Sequence, residues 1–240
     1  MKRTWDIQRI ETESIPAIEQ KMYEKVSDAT DYVDFYEKRQ DMIIKRDPQT
    51  FEKTNRVWQF EYLIKHGLKK DQTFLDYGCG PGAAGVYFIE YLDAGKWTGV
   101  DISNESIRVA KDLFKRKKLE SKKPELVYIP HGDLKPIKGR TFDVIIAQTV
   151  FTHLPPDEII AILTRLRDNF HEGTKFYSSF SCCPKGIIQQ KLHNWYYDHE
   201  FIHTAASDAG IKVEIYPDWE HPYQCNMPDF AKSTMAVFSL

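Results

Sequence analysis

The sequence predicts an α/β protein with a doubly wound, Rossmann-like sheet of seven mostly parallel strands, whose last strand is antiparallel, and an N-terminal helical extension. Three observations support this prediction. Short apolar segments alternate with amphipathic helical patterns from about residue 73 onward. A glycine-rich turn follows the first of those segments. The pattern of residues 1–70 indicates helices, and no strand signal interrupts it.

Composition excludes several other classes of protein. The 240 residues include 33 Lys and Arg against 35 Asp and Glu, so no global positive field exists to hold a nucleic acid backbone. A hydrophobic content of 42% excludes wholesale disorder, and the longest aliphatic run, Val144 to Ala147, is far too short to span a membrane. The four cysteines form no Cys-x-x-Cys pair, and the first residues lack a secretion signal. We therefore expect a globular, cytoplasmic protein with neither a membrane nor a nucleic acid as partner.

The predicted domain boundary falls near residue 70. Residues 1–70 would form the helical extension, and residues 71–240 the main domain. Ile18, Met22 and Val26 recur at intervals of four, which puts their side chains on one face of a helix.

A second helix is predicted from Pro48 to Lys65, because Asp47 can cap it and Gly67 follows its end. The extension also carries aromatic side chains that suit a lid over an apolar or sugar-like ligand. They are Tyr23, Tyr32, Phe35 and Tyr36. The alternative that these rings only pack the extension onto the sheet stays open.

The seven strands are predicted at residues 73–77, 97–101, 126–130, 142–147, 175–181, 211–215 and 235–238. The continuous apolar run of the fourth strand is typical of a central strand buried on both faces. Ser103 is the expected cap of the helix after the second strand, and Pro155 and Pro156 open the helix after the fourth. Residues 217–232 are too irregular for a crossover helix, so the last strand should pair antiparallel.

The turn after the first strand is rich in glycine from Gly78 to Gly85. Glycine adopts backbone dihedrals that strain other residues, and it lets a ligand approach main-chain atoms at a helix N-terminus. A triphosphate-binding loop is excluded, because Val86 and Tyr87 stand where Lys and Ser or Thr are needed. The glycines alone leave a nicotinamide or flavin fold open, with Asp101 placed to hold ribose hydroxyls.

Asp76, two residues before the first glycine, favours a different ligand. Its carboxylate would repel the pyrophosphate of a dinucleotide, whereas a cationic ligand with an ammonium group would be attracted. S-adenosylmethionine (SAM) is such a ligand, since it has a sulfonium cation, an amino-acid tail and no phosphate.

At these residues the sequence resembles the class I SAM-dependent methyltransferases, and bacterial small-molecule members in particular. Their first motif, Asp/Glu-x-Gly-x-Gly-x-Gly, is matched by Asp76, Gly78, Gly80 and Gly82. The resemblance covers about residues 72–240. It implies SAM as the cofactor and S-adenosylhomocysteine (SAH) as its product.

The resemblance also implies the remaining cofactor contacts. Asp101, followed by Ile102, matches the acid that bonds both ribose hydroxyls. Asp133, followed by Leu134, matches the acid near the adenine amino group, and Gln148 would orient cofactor or acceptor. Two plainer interpretations stay open: Asp101 as a helix cap, and Asp133 as part of an ordinary turn.

His153 is the candidate general base, because residues 150–155 resemble the segment after the fourth strand in many small-molecule members. A purely structural histidine is the alternative. The resemblance implies methyl transfer to a small molecule or glycan. Oxygen is favoured over nitrogen because residues 148–151 read Gln-Thr-Val-Phe, where N-methylating members often carry Asn/Asp-Pro-Pro-Tyr/Phe. The oligomeric state is not predicted.

A competing motif occurs at His199, Glu200 and His203, which match the H-E-x-x-H signature of zinc peptidases. A third ligand would have to come from Glu214, Glu220 or His221, and the extended motif fails. We therefore predict no metal. A zinc-dependent hydrolase and a non-catalytic nucleotide-binding module remain the alternatives to a methyltransferase.

Overall fold

The computed structural model describes residues 4–10, 32–49, 52, 56–190, 194–217, 219 and 227–240. Within these ranges no helix is long and apolar enough to cross a bilayer. The chain divides into two compact units, one of residues 15–138 and one that combines residues 1–14 with residues 139–240.

The described strands are β1 (Ile7–Ile10), β2 (Phe74–Tyr77), β3 (Trp97–Asp101), β4 (Glu125–Tyr128), β5 (Val144–Ala147), β6 (Lys175–Cys182), β7 (Ile187–Gln190), β8 (Asn194–Tyr197), β9 (Lys212–Tyr216) and β10 (Lys232–Ser239). The described α-helices are α1 (Tyr32–Arg46), α2 (Val57–Lys65), α3 (Gly85–Tyr91), α4 (Asn104–Arg116), α5 (Pro156–Leu166) and α6 (His199–Asp208).

The unit of residues 15–138 is built on three parallel strands in the order β2-β3-β4. Every residue of β2 and β3 is buried, as expected for parallel strands with helices on both faces. Helix α1 packs against α4, and α2 packs against α3. The carboxyl ends of the strands carry the glycine turn and Asp101, which is where ligands bind in folds of this class.

Helix α4 begins at Asn104 because Ser103 caps it. The Ser103 side-chain oxygen accepts a hydrogen bond from the backbone N–H of Ser106, and the Ser103 backbone is extended. The apolar face of α4 is buried, with Phe114 in edge-to-face contact with Trp97 of β3. The predicted cap and helix are therefore confirmed.

The unit of residues 1–14 and 139–240 is built on a sheet that mixes parallel and antiparallel strands. Strand β6 pairs in parallel with β5 and β8, and antiparallel with β10. Strand β10 also pairs antiparallel with β9, so the predicted antiparallel last strand is confirmed. The core of this unit contains an aromatic cluster of Phe151, Phe176, Phe180 and Phe238.

All seven predicted strands are present, within a few residues of their expected ends. Three further strands exist that the prediction did not include. Strand β7 pairs antiparallel with β8, and β1 pairs in parallel with β7. The expectation that no strand interrupts residues 1–70 was therefore wrong for Ile7–Ile10. Their sequences, Ile-Gln-Arg-Ile, Ile-Ile-Gln-Gln and Asn-Trp-Tyr-Tyr, show neither a sustained alternation of apolar and polar side chains nor a continuous aliphatic run.

The helix predicted from Pro48 to Lys65 is confirmed only from Val57 onward, because the described residues before it, 48, 49, 52 and 56, are not helical. Helix α1 ends at Arg46, and α2 begins only at Val57. Asp47 does accept a backbone hydrogen bond, but from Gln49 at 3.1 Å, which closes a turn. The predicted helix through Ile18, Met22 and Val26 lies outside the described residues.

Candidate functional site

The glycine turn joins β2 to α3 through three residues in the left-handed region, Gly78, Gly80 and Gly82, with φ of 74°, 54° and 78°. Gly78 and Cys79 donate backbone hydrogen bonds to the carbonyl of Val100 on β3, at 2.8 and 3.1 Å. The turn is therefore held against the end of the neighbouring strand.

Gly82 and Gly80 differ in the space that surrounds them. A Cβ on Gly82 would lie 2.7 Å from Cε1 of Phe114 on α4, so this position has no room for a side chain. A Cβ on Gly80 would meet nothing within 4 Å. The space beside Gly80 is open, and a ligand there can approach the main chain closely.

Asp101, the last residue of β3, is 6% exposed and accepts two backbone hydrogen bonds. The N–H of Gly80 donates to its Oδ2 at 2.8 Å, and the N–H of Ser103 donates to its Oδ1 at 2.8 Å. The helix-cap interpretation is not supported, since Ser103 caps α4. Asp101 instead links the glycine turn to the start of α4, and Ile102 stands partly buried between the two.

Asp76 and Asp101 form a buried acidic pair. Burial, followed by the charge of Asp101, raises the pKa of Asp76 from 3.8 to about 7. Burial raises the pKa of Asp101 from 3.8 to about 6, against the two backbone N–H donors that lower it, and the carboxylates of Asp41 and Glu37 raise it further. The charges that act on both groups are negative, so a cation placed among them would stabilise their ionised forms.

Asp133 occupies a different setting, in the turn after β4. Its side chain is 45% exposed and pairs with the ammonium of Lys135 at 3.1 Å. Its Oδ1 also accepts the backbone N–H of Lys135 at 3.0 Å, as in an Asx turn. The neighbouring Leu134 is buried. These contacts account for Asp133 as a turn residue, and its contact with adenine stays a prediction.

Gln148 and His153 belong to the other unit, in the segment between β5 and α5. Gln148 is partly buried, and the next residue, Thr149, has a φ of 56° and donates its backbone N–H to Ser179 Oγ at 2.9 Å. His153 is partly exposed at the end of a 3-10 turn. The next carbonyl, that of Leu154, accepts a hydrogen bond from the hydroxyl of Tyr197 on β8. The segment is thus held in place by β6 and β8.

The structure adds residues that the sequence prediction missed. Two carboxylates of α1 lie next to the buried acidic pair. Asp41 Oδ1 accepts a hydrogen bond from Ser103 Oγ at 2.6 Å, and Glu37 Oε1 accepts one from the Tyr128 hydroxyl at 2.7 Å. Glu37 and Asp41 are four residues apart and so share one helix face, which is the only signal of their role in the sequence.

The H-E-x-x-H motif lies on α6, where the side chains of His199, Glu200 and His203 are all exposed. Asp198 caps this helix by accepting the N–H of Phe201 at 2.8 Å. In the described part of the chain, no three His, Cys, Asp or Glu residues lie close enough together to hold a metal ion. Two of the suggested third ligands, Glu220 and His221, fall outside the described residues.

Residues 74–173 match a family model described as a methyltransferase domain. Over 158 residues the chain is 28% identical to an uncharacterized methyltransferase of Schizosaccharomyces pombe. That alignment covers 65% of this chain and 53% of the relative, so the chain spans about half the length of the curated protein it matches.

Solved structures show the same fold. A SAM-dependent methyltransferase from Clostridium acetobutylicum is similar with a TM-score of 0.55 and 15% identity, over 83% of this chain and 95% of that one. The magnesium protoporphyrin IX methyltransferase of Synechocystis PCC 6803, solved with bound SAM, is similar with a TM-score of 0.56 and 16% identity, over 91% of this chain and 90% of that one. The solved structures show that this chain has the fold of SAM-dependent methyltransferases, and the strand order and the glycine turn agree with the methyltransferase domain matched at residues 74–173.

Proposed function

We propose that this chain transfers the methyl group of SAM to a small-molecule or glycan acceptor, at oxygen rather than nitrogen. The observation that carries the proposal is the buried acidic pair of Asp76 and Asp101 beside a glycine turn with open space at Gly80. Such a site disfavours an anionic ligand and favours a cationic one. The match to a methyltransferase domain indicates that this cationic ligand is SAM.

The charge of these two acids, Asp76 and Asp101, suits the cationic SAM, and the space beside Gly80 is open. Asp101 would hold the ribose hydroxyls, with Ile102 beside it, and Asp76 would attract the amino-acid end across the turn of Gly78, Gly80 and Gly82. Asp133 and Leu134 would border the adenine, and Gln148 would orient cofactor or acceptor. When bound, SAM supplies a methyl group on a positively charged sulfur, which an acceptor displaces in line to leave SAH.

The acceptor needs a proton acceptor if it reacts through a hydroxyl, and His153 is the proposed base. Its partial exposure leaves the imidazole accessible to a substrate, and the hydrogen bond from Tyr197 to the following carbonyl fixes the end of its turn. Much of the acceleration would come from position, because holding reactants about 3 Å apart and in line supplies several kcal/mol without covalent catalysis.

A small-molecule acceptor is supported by two features. The segment from Gln148 to Phe151 lacks the Asn/Asp-Pro-Pro-Tyr/Phe pattern of many N-methylating members. One of the similar solved structures is named for a small molecule, magnesium protoporphyrin IX. That likeness concerns the fold.

The proposal retains helix α1 of the predicted extension as a cover for the cofactor site at Asp101, whereas Ile7–Ile10 of that extension form strand β1. Tyr36 on α1 supports it, because the charge of Asp101 contributes, after burial, to raising the pKa of Tyr36 to about 12. Tyr32 and Phe35 lie on the same helix with ring centroids 5.9 Å apart. Tyr23, the fourth aromatic residue of the proposed lid, falls outside the described residues. A cytoplasmic location is also proposed, supported by the free thiols of Cys79, Cys182 and Cys183.

Calorimetry with SAM and NAD on the purified protein, followed by a panel of hydroxyl and amine acceptors, tests the proposal. We expect micromolar SAM binding and turnover of a hydroxyl acceptor. His153→Ala should reduce turnover by about 100-fold while leaving the dissociation constant for SAM unchanged, because a general base contributes about that much. His203→Ala, on the exposed face of α6, is the matched control and should retain full activity.

Three results would contradict the proposal. Binding of NAD in place of SAM would indicate a dinucleotide site. Stoichiometric zinc, with activity lost in His203→Ala, would indicate a hydrolase. SAM binding without turnover across the panel would indicate a sensing module.

A further inference from the structure

Helix α1 places two further carboxylates, those of Glu37 and Asp41, near Asp101. Ser103, which is fully buried, donates its hydroxyl to Asp41 Oδ1 at 2.6 Å and its backbone N–H to Asp101 Oδ1 at 2.8 Å. Asp41 is 62 residues from Ser103 in the chain, so this contact exists only when α1 is seated on α4.

We propose that Asp41 is a positioning residue for Asp101, acting through Ser103, so that cofactor binding depends on the seating of helix α1. This inference rests on the proposed function, because the contact of Asp101 with the cofactor is part of that proposal. It adds a residue and a form of coupling that the glycine turn alone does not contain.

The hydrogen-bond capacity of Ser103 explains how Asp41 can act at a distance. A serine hydroxyl has one proton to donate and two lone pairs that accept. With the proton directed to Asp41, a lone pair is free to accept the N–H of Ser106 at 3.0 Å, which caps α4. The cap holds the Ser103 peptide in the orientation that donates to Asp101. Without Asp41 the hydroxyl proton has no carboxylate to fix its direction.

Charge gives a second route for the same residue. Burial is the main cause of the raised pKa of Asp101, and the carboxylates of Asp41 and Glu37 add to it. The titratable and charged groups around this acid are Asp76 on β2, Cys79 in the turn, Tyr36, Glu37, Arg39 and Asp41 on α1, and Tyr128 on β4. Lys45 pairs with Asp41 at 3.7 Å and Glu105 at 4.0 Å, with its side chain 60% exposed.

Glu37 completes the contact of α1 with this strand edge. The hydroxyl of Tyr128, the last residue of β4, donates to its Oε1 at 2.7 Å, and Oε2 is buried with no hydrogen-bond partner among the described residues. A buried carboxylate oxygen without a donor is costly to keep. The two α1 carboxylates thus accept hydrogen bonds from Ser103, which follows β3, and from Tyr128, which ends β4.

Two substitutions of Asp41 separate the hydrogen bond from the charge. Asp41→Asn keeps an oxygen that can accept from Ser103 but removes the charge, and Asp41→Ala removes both. The matched control is Asp112→Asn, which removes a 65% exposed carboxylate of α4 that pairs only at the surface with Arg108. Binding of SAM is measured by calorimetry between about pH 5 and about pH 8, and the pKa of Asp101 by NMR of carboxyl-labelled aspartate in the free protein.

We expect Asp41→Ala to weaken SAM binding about tenfold at about pH 8, the size of effect of one charged hydrogen bond. Asp41→Asn should bind within about threefold of wild type at that pH, since the hydrogen bond survives. In Asp41→Asn the pKa of Asp101 should be lower than in wild type, because the neighbouring negative charge of Asp41 is gone. Asp112→Asn should change neither quantity.

The inference is wrong if Asp41→Ala binds SAM like wild type and Asp101 titrates unchanged in Asp41→Asn. A purely structural role of Asp41 would lower the melting temperature of both variants without moving that titration. If Asp41→Ala fails to fold, the inference is tested by the titration of Asp101 in Asp41→Asn and by hydrogen exchange at the Ser103 amide. If the wild type does not bind SAM, the proposed function fails, and the titration in the free protein still tests the coupling.

Discussion

Two acidic residues at the ends of neighbouring strands, Asp101 as the last residue of β3 and Asp133 in the turn after β4, have opposite surroundings. Asp101 is 6% exposed, and its two oxygens accept the N–H groups of Gly80 and Ser103. The side chain of Asp133 is 45% exposed and is bound by the backbone and ammonium of Lys135, two residues on. Both residues matched positions of the same family pattern.

The difference shows how burial separates a ligand site from a turn. A solvated carboxylate in an Asx turn is explained by local structure alone. A carboxylate buried among other carboxylates costs free energy in the free protein, and such groups are typical of functional sites. Asp101 carries this cost together with Asp76, whereas Asp133 carries none of it. The four predictions below test that contrast, in order of decreasing effect.

Replacing Asp101 by Ala should have the largest effect, a loss of SAM affinity of at least about 100-fold, because a buried charged acceptor is removed. Two buried N–H groups also lose their acceptor, so the melting temperature should fall at acid pH. Calorimetry and thermal unfolding measure the two effects. An Asp101→Ala protein that bound SAM within about threefold of wild type would contradict the assignment of this acid to the cofactor.

Asp76→Asn should stabilise the cofactor-free protein at about pH 8 by a few kcal/mol and change its stability little at about pH 4. The pKa of Asp76 is raised to about 7 in the folded state, so the folded state keeps a proton that the unfolded chain loses near its ordinary value of 3.8. Stability from this group is therefore present below about pH 4 and lost as the pH rises through 7.

Urea unfolding of wild type and Asp76→Asn across this pH range measures the difference. Asp133→Asn is the control, since a half-exposed turn carboxylate should show no such dependence. Equal stability of wild type and Asp76→Asn at every pH would mean that Asp76 is not a buried acid in solution.

Gly82→Ala should destabilise the protein by about 1–3 kcal/mol, because its Cβ would lie 2.7 Å from Phe114 and its φ is 78°. Gly95 offers a matched control, since its φ is also 78° but a Cβ there meets nothing within 4 Å. The difference between the two variants in urea unfolding isolates the cost of the clash. Equal losses would mean that α4 can move away from the turn.

Asp133→Ala should have the smallest effect, a change in SAM affinity below about threefold and in stability below about 1 kcal/mol, as for an exposed ion pair. The same calorimetry measures it. A loss as large as that of Asp101→Ala would show that the proposed adenine contact of Asp133 contributes as much as the ribose contact of Asp101, and that burial in the free protein is a poor guide here.

The strand and helix predictions succeeded where a local pattern was sufficient. The apolar run of β5 and the cap at Ser103 depend on residues within one turn or strand, and both were predictable. Asp47 shows the limit of such signals, because the same side chain that caps helices also closes turns, and here it accepts from Gln49. Strands β1, β7 and β8 have the same length as β5 but lack its continuous apolar run, so their sequences carry no clear strand signal.

The candidate site divides in the same way. The spacing of glycines and acids in the sequence was enough to predict the cofactor class, since Asp76 beside the turn favours a phosphate-free cationic ligand and the motif resembles that of SAM-dependent methyltransferases. Which acids are buried, and that Asp41 reaches Ser103 from another helix, was decided only by tertiary structure. Burial and contacts across 62 residues of chain depend on how elements pack, and no local pattern of residues encodes that packing.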